Sequence, residues 1–99
     1  MTTKNIRWST RAKDEFAEIK KYFDKRNGSS AYSKKLFQKI THSLHLTRQQ
    51  EERGEKLKNS NLRYVIVEKY QIFYQIKKGT IVLVSIWDSR RNPDDLKFD

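Results

Sequence analysis

Near the end of the chain, Asp88-Ser89-Arg90-Arg91-Asn92-Pro93 follows the apolar run Val82–Trp87. Arginine carries a planar fork of N–H donors that suits phosphates and carboxylates, and Pro93 stiffens the turn that follows. Arg90 and Arg91 are therefore the leading candidates for binding an anion or an acidic partner. The competing role is structural: pairing with Asp88, Asp94 or Asp95 would hold the tail in place. Trp87 could present its indole as a contact aromatic or close a core edge. Arg63 lies on the polar side of its segment if Tyr64 and Ile66 face the core, which would let it project onto the same surface. Lys56 and Lys58 add charge in a polar stretch.

Those five cations, with Glu55 or Glu68 as a base, define a second possible chemistry. Cleavage of RNA through its 2′-hydroxyl needs a base, an acid and cationic groups near the phosphate. A carboxylate serves as the base only when its environment raises its pKa, and nothing in the sequence shows such tuning. His42 and His45 have a spacing that can ligate a metal from one helix face. No cysteine and no third histidine completes such a site, so no metal or other cofactor is expected. Asn27-Gly28-Ser29 reads as turn chemistry rather than a phosphate loop.

Lys and Arg number 22 against 12 Asp and Glu, a net charge of +10. The first fifty residues hold twelve bases and four acids, a net of +8, and the remainder ten and eight, a net of +2. Such an excess concentrates polyanions or an acidic protein near the surface. A nucleic-acid-binding module that uses a basic helix is therefore one possible function. With 99 residues there is room for a single domain, and 35% hydrophobic residues make its core thin. No run has the length of a membrane span, and no signal peptide is evident, so a cytoplasmic protein is expected.

The elements that must position these side chains follow from periodicity. Ile6 and Trp8 alternate with Asn5, Arg7 and Ser9, as in a strand with one buried face. Ser9 or Thr10 can cap the helix whose apolar face is Ala12, Phe16, Ile19 and Phe23. Gly28 suits its C-terminus. A second helix carries Tyr32, Leu36, Phe37, Ile40, Leu44 and Thr47 on one side, and Lys34, Lys35, Lys39 and Arg48 elsewhere. Gln49–Asn61 reads as a helix end followed by a loop. Arg63–Val67 and Tyr70–Lys77 read as strands joined at Glu68-Lys69, and Lys78-Gly79 turns the chain into a doubly covered strand, Thr80–Trp87. Tyr70, Ile72, Tyr74 and Ile76 take the core-facing register. The expected fold is α+β in the order β-α-α-β-β-β, with an antiparallel helical hairpin on a small, mainly antiparallel sheet.

Three stretches, IRWSTRAKDEFAEI, RYVIVEKYQIFYQI and above all IVLVSIWDSRRNPDDL, resemble the RelE/ParE superfamily of bacterial toxins. The strand ending in Trp-Asp and then Ser-Arg-Arg-Asn-Pro is typical of its ParE-like branch, which includes plasmid stabilisation proteins. The resemblance spans nearly the whole chain. It implies growth inhibition, neutralisation by a cognate antitoxin that wraps the toxin, and assembly with that antitoxin into higher oligomers.

The resemblance also implies one of two targets. One branch cuts mRNA on the ribosome as an endoribonuclease (an mRNA interferase), and the other poisons DNA gyrase. In the nuclease branch a C-terminal Tyr or His acts with the cations. Here the last tyrosine is Tyr74, no histidine follows His45, and Tyr70-Gln71 stands where Tyr-Arg is favoured. Gyrase is thus the favoured target, with Arg63, Trp87, Arg90 and Arg91 as contacts. The ribosome-dependent nuclease is the alternative, using Lys56, Lys58, Arg63, Arg90 and Arg91.

Overall fold

The computed structural model describes residues 5–58, 60–91 and 96. The elements are β1 (Asn5–Trp8), α1 (Thr10–Asn27), α2 (Ala31–Gln49), a 3₁₀ turn (Glu51–Arg53), β2 (Glu55–Lys56), β3 (Arg63–Val67), β4 (Tyr70–Lys77) and β5 (Thr80–Asp88). They form one five-stranded sheet in the order β1-β5-β4-β3-β2. β1 runs parallel to β5, and every other pairing is antiparallel. The expected order of elements holds, with one addition. Gln49–Asn61 is not simply a loop, because Glu55 and Lys56 pair with Tyr64 and Arg63 as a short edge strand.

Ser9 caps α1 as expected. Its hydroxyl accepts from the Ala12 N–H at 3.0 Å and donates to the Val84 carbonyl at 2.8 Å. Gly28 ends the helix at φ 64, a left-handed conformation that costs glycine little. The link to α2 is only Gly28, Ser29 and Ser30, so the two helices form a tight hairpin. Asp24 and Ser33 tie the hairpin together, with the Ser33 hydroxyl donating to the carboxylate at 2.6 Å.

The hairpin covers one sheet face. Leu36, Ile40 and Leu44 of α2 meet Ile72, Tyr74, Ile81 and Leu83, all at most 1% exposed. Full burial of a leucine or isoleucine side chain is worth about 1.5–3 kcal/mol. The apolar spacing in both helices thus reports the core directly. Among the residues placed on those faces, Phe37 is the outlier at 43% exposed, stacked on Trp8 rather than inserted in the sheet.

In β3 the faces are the reverse of the sequence expectation for Arg63. Val65 and Val67 are buried, while Ile66 is 63% exposed. Arg63, two residues before Val65, therefore shares the helix-covered face. Apolar residues occupy both faces of this short strand, so alternation alone does not show which face the helices choose. Coverage by α2 decides it.

A register shift marks β5: Phe73 pairs with Ser85 but Tyr74 with Leu83, leaving Val84 as an extra residue. This β-bulge re-aims everything after it. Leu83, Ile86 and Asp88 lie level with Tyr74, Ile72 and Tyr70 on the helix face, and Trp87 pairs with Gln71 on the other. The Glu15 carboxylate receives the Ser85 hydroxyl at 2.9 Å and the Ile86 N–H at 2.9 Å, so α1 clamps the bulge.

Candidate functional site

The turn after β5 is fixed by its own hydrogen bonds. The Arg90 N–H donates to Asp88 Oδ1 at 2.9 Å, and the Arg91 N–H to the Asp88 carbonyl at 3.0 Å. Ser89 donates twice to the Lys69 carbonyl, from its N–H at 2.9 Å and its hydroxyl at 2.8 Å. A short polar side chain that satisfies the backbone two residues on is what makes Asp and Ser good turn formers. The turn is thereby bound to the β3–β4 connection.

From this turn the two arginines diverge. Arg90 folds back on Asp88, donating from Nε to Oδ1 at 3.1 Å and from Nη2 to Oδ2 at 2.8 Å. This bidentate fork holds the Asp88 carboxyl below its usual range and raises the Arg90 pKa. Arg91 instead lays its guanidinium 4.1 Å from the centroid of Trp87, a cation–π contact. Strand alternation explains the split, because the consecutive residues Trp87 and Asp88 face opposite sides of the sheet, and the bulge decides which side each takes. Pairing with Asp88 therefore describes Arg90 and not Arg91. Pro93, Asp94 and Asp95 lie outside the described residues. Trp87 is 3% exposed, so the indole serves as a buried platform beneath Arg91.

On the helix side, a groove of about 400 Å³ runs between α1 and the ends of β4 and β5. Tyr22, Phe23, Tyr70, Asp88, Arg90 and Arg91 are among the residues that line it, so both arginines reach this groove. Burial pushes the Tyr70 hydroxyl up to about 12 and raises Tyr32 as well. Neither phenol is prepared to give up a proton near neutrality.

The other candidate cations do not join this turn. Arg63 pairs across the sheet with Tyr74, whereas Asp88 pairs with Tyr70. Four residues of β4 separate the two levels, about 13 Å at ~3.3 Å per residue. Arg63 donates to the Gly54 carbonyl at 3.0 Å, so it secures the start of β2. Lys56 is exposed on β2 opposite Arg63, and Lys58 is exposed in the loop beyond. The five cations therefore occupy two separate regions of the molecule.

The candidate bases are equally dispersed. Glu55 accepts the Tyr64 hydroxyl at 2.8 Å. Glu68, in the turn before β4, accepts Lys39 Nζ at 2.9 Å, and that bond holds its carboxyl below the usual range. A general base needs the opposite shift. His42 is exposed, and His45 faces Arg48 at 3.2 Å through Nδ1. Among the described residues no three His, Cys, Asp or Glu side chains could hold a metal ion. Nor is any helix long and apolar enough to cross a membrane.

Sequence periodicity missed Glu15, which reads as one more charge on the wet side of α1. Its function as the clamp on the β5 bulge depends on a residue seventy positions away. The buried Ser33, Ser43, Thr47 and Ser85 were also mostly invisible, Thr47 alone having been placed on a buried face. The signal available for them was small polar residues at core-facing helical positions.

A search of curated proteins finds no match to this chain. Among solved structures, one titled "Chromosomal ParDE TA system from P. aeruginosa" superposes with a TM-score of 0.73 at 16% identity, covering 87% of this chain and 96% of the other. At that identity the likeness establishes the shared fold. The family described as "ParE toxin of type II toxin-antitoxin system, parDE" matches residues 6–93, from the first strand through the arginine turn. With that match over most of its length, and with the fold to accompany it, the chain belongs to the ParE toxin family.

Proposed function

We propose that this toxin inhibits DNA gyrase by binding, and that a cognate antitoxin protein neutralises it. The observation that carries the target assignment is the separation of the groups that RNA cleavage would need. Arg63, Lys56 and Lys58 lie far from Arg90 and Arg91, Glu68 is held ionised by Lys39, and Tyr70 is held protonated. A surface of this kind suits recognition better than proton transfer. Within it, Arg91 is the principal contact, since its guanidinium is displayed over Trp87 while that of Arg90 is occupied by Asp88. Arg90 then organises the turn. A protein antitoxin is supported by membership in a family of type II toxin–antitoxin toxins and by a net charge of +10 that favours an acidic-leaning partner.

The test is a supercoiling assay with purified gyrase and relaxed plasmid. The native chain should inhibit, Arg91→Ala should lose most of the inhibition, and the Arg90→Ala/Arg91→Ala double variant should lose it all. Normal supercoiling at saturating toxin would remove the gyrase reading. If expression still arrested growth, transcripts cut within codons would then identify the ribosome as the target. Affinity for plain nucleic acid that falls steeply with salt would instead indicate a nucleic-acid-binding module.

A further inference from the structure

The sheet face turned away from the helices carries an exposed feature of its own. Ile66 is 63% exposed, more than any other large apolar side chain among the described residues, although Val65 and Val67 on either side of it are buried. Its place relative to the arginine turn follows from the register. Ile66 pairs with Gln71, and Gln71 pairs with Trp87, so the three form one row across β3, β4 and β5. Residues paired in this way share a face. Neighbouring strands lie about 4.8 Å apart, which puts Ile66 about 10 Å from Trp87. The guanidinium resting on Trp87 is that of Arg91, so Ile66 and Arg91 stand at the two ends of one row.

Both ends of the row lack a complement. Among the described residues the Arg91 guanidinium meets no carboxylate, whereas that of Arg90 is held by Asp88. Glu55, which the register places on this face opposite Tyr64, already accepts the Tyr64 hydroxyl at 2.8 Å. The Tyr64 ring in turn packs against Phe73, their centroids 5.4 Å apart. Strand formation by itself does not call for isoleucine at so exposed a position, since threonine suits a strand as well. An uncovered aliphatic side chain and an unpaired guanidinium, both set on a rigid sheet and the second backed by a buried indole, have the composition of a binding hot spot.

We propose that the toxin grips its target through this row. Ile66 enters an apolar pocket on a folded protein, and Arg91 pairs with a carboxylate about 10 Å from that pocket. The proposal rests on the reading of Arg91 as the target contact, and it adds the second anchor. Nucleic acid is a poor match, because an isoleucine gains nothing from phosphate and Arg91 is the one cation of the row. A second copy of this chain would bring another net +10 to a cationic site. The row presents side chains rather than open backbone groups, so it suits a folded surface and not an added strand.

The test compares Ile66→Thr with Ile66→Val in the full chain. Threonine and valine have the same shape and both suit a strand, so only the polarity of one group differs. At an exposed position neither should move the unfolding midpoint appreciably. Ile66→Val should inhibit gyrase supercoiling nearly as well as the native chain. Ile66→Thr should need about ten-fold or more toxin for the same inhibition, because its hydroxyl would be buried in the pocket without a partner. Leu46→Thr, a polar change at an exposed apolar residue of α2, should inhibit as the native chain does. Equal inhibition by the two Ile66 variants, or an equal loss with Leu46→Thr, would overturn the proposal and leave the gyrase reading intact. Growth arrest on expression, at matched soluble toxin, is scored for the same variants. Should the native chain leave supercoiling normal, the gyrase reading fails and growth arrest alone decides the proposal. Cells that tolerate Ile66→Thr but not Ile66→Val would then support it, and equal toxicity would overturn it.

Discussion

Gly54 sits where the 3₁₀ turn enters β2, at φ −84, a conformation open to any residue. Its importance is the space beside it. A Cβ there would lie 2.6 Å from the Tyr64 carbonyl oxygen and 2.7 Å from the Tyr74 hydroxyl, both well inside van der Waals contact. The Gly54 N–H also donates to that hydroxyl at 3.0 Å, and the hydroxyl in turn donates to the Glu51 carbonyl at 3.0 Å. Alanine at this position must push β2 from β3 or expel the Tyr74 hydroxyl from both bonds. Overpacking of this kind costs about 1–3 kcal/mol, and a lost hydrogen bond about 1 more. Gly54→Ala should therefore lose about 2–4 kcal/mol, read as a urea midpoint shift by circular dichroism with an unchanged slope.

Two comparisons separate the causes. Gly79→Ala, at φ 78 with nothing within 4 Å, carries only the left-handed strain and should lose about 1–2 kcal/mol. Tyr74→Phe leaves the Gly54 N–H without its acceptor and should lose about 1–3 kcal/mol. In the Tyr74→Phe background the further loss from Gly54→Ala should shrink without vanishing, because the Tyr64 carbonyl remains. A Gly54→Ala loss no larger than that of Gly79→Ala would refute the close-approach argument.

The contact between Arg91 and Trp87 should be visible without any target. In a Trp8→Phe background, Arg91→Ala should change Trp87 emission while the unfolding midpoint stays nearly constant, and an unchanged spectrum would mean the guanidinium does not rest on the indole. Stability should also respond to pH at both extremes. Asp24, Asp88 and Glu68 are held below their ordinary values of 3.8, 3.8 and 4.5 by Lys20, Arg90 and Lys39. Their contribution is present above those values and is lost as pH falls below 4.5 and on through the lower folded values, so on the acid side the thermal midpoint should drop there. Tyr70, raised by burial from 10.0 to about 12, adds stability below pH 10 that is lost as pH rises toward 12. A tyrosine absorbance titration in which every phenol has a midpoint near the ordinary 10.0 would contradict its burial.

Much of this protein is legible from one dimension because local physics sets it. Apolar residues at three- and four-residue spacing can bury one helix face only by packing it, so Ala12, Leu36, Ile40 and Leu44 reach the core as expected. Ser9 and Gly28 end their helix through backbone chemistry that needs no distant partner. The turns at Glu68-Lys69 and Lys78-Gly79 are local in the same way, with Glu68, Lys78 and Gly79 at positive φ. The Trp-Asp-Ser-Arg-Arg ending marked the family.

What the sequence left open was decided by contacts between segments far apart in the chain. β3 is apolar on both sides, and only α2 determines that Val65 turns inward, Ile66 outward and Arg63 toward Gly54. The arrangement of the site depends on a single extra residue. Unbroken alternation from Leu83 would place Trp87 on the helix face and Asp88 on the other. The bulge at Val84, held by Ser9 and Glu15 from α1, exchanges them. Side chains alternate with a period of two, so one inserted residue inverts every position after it, and the partners that hold it in place lie about seventy residues earlier. Whether Asp88 or Trp87 meets the helices is therefore a property of the tertiary structure.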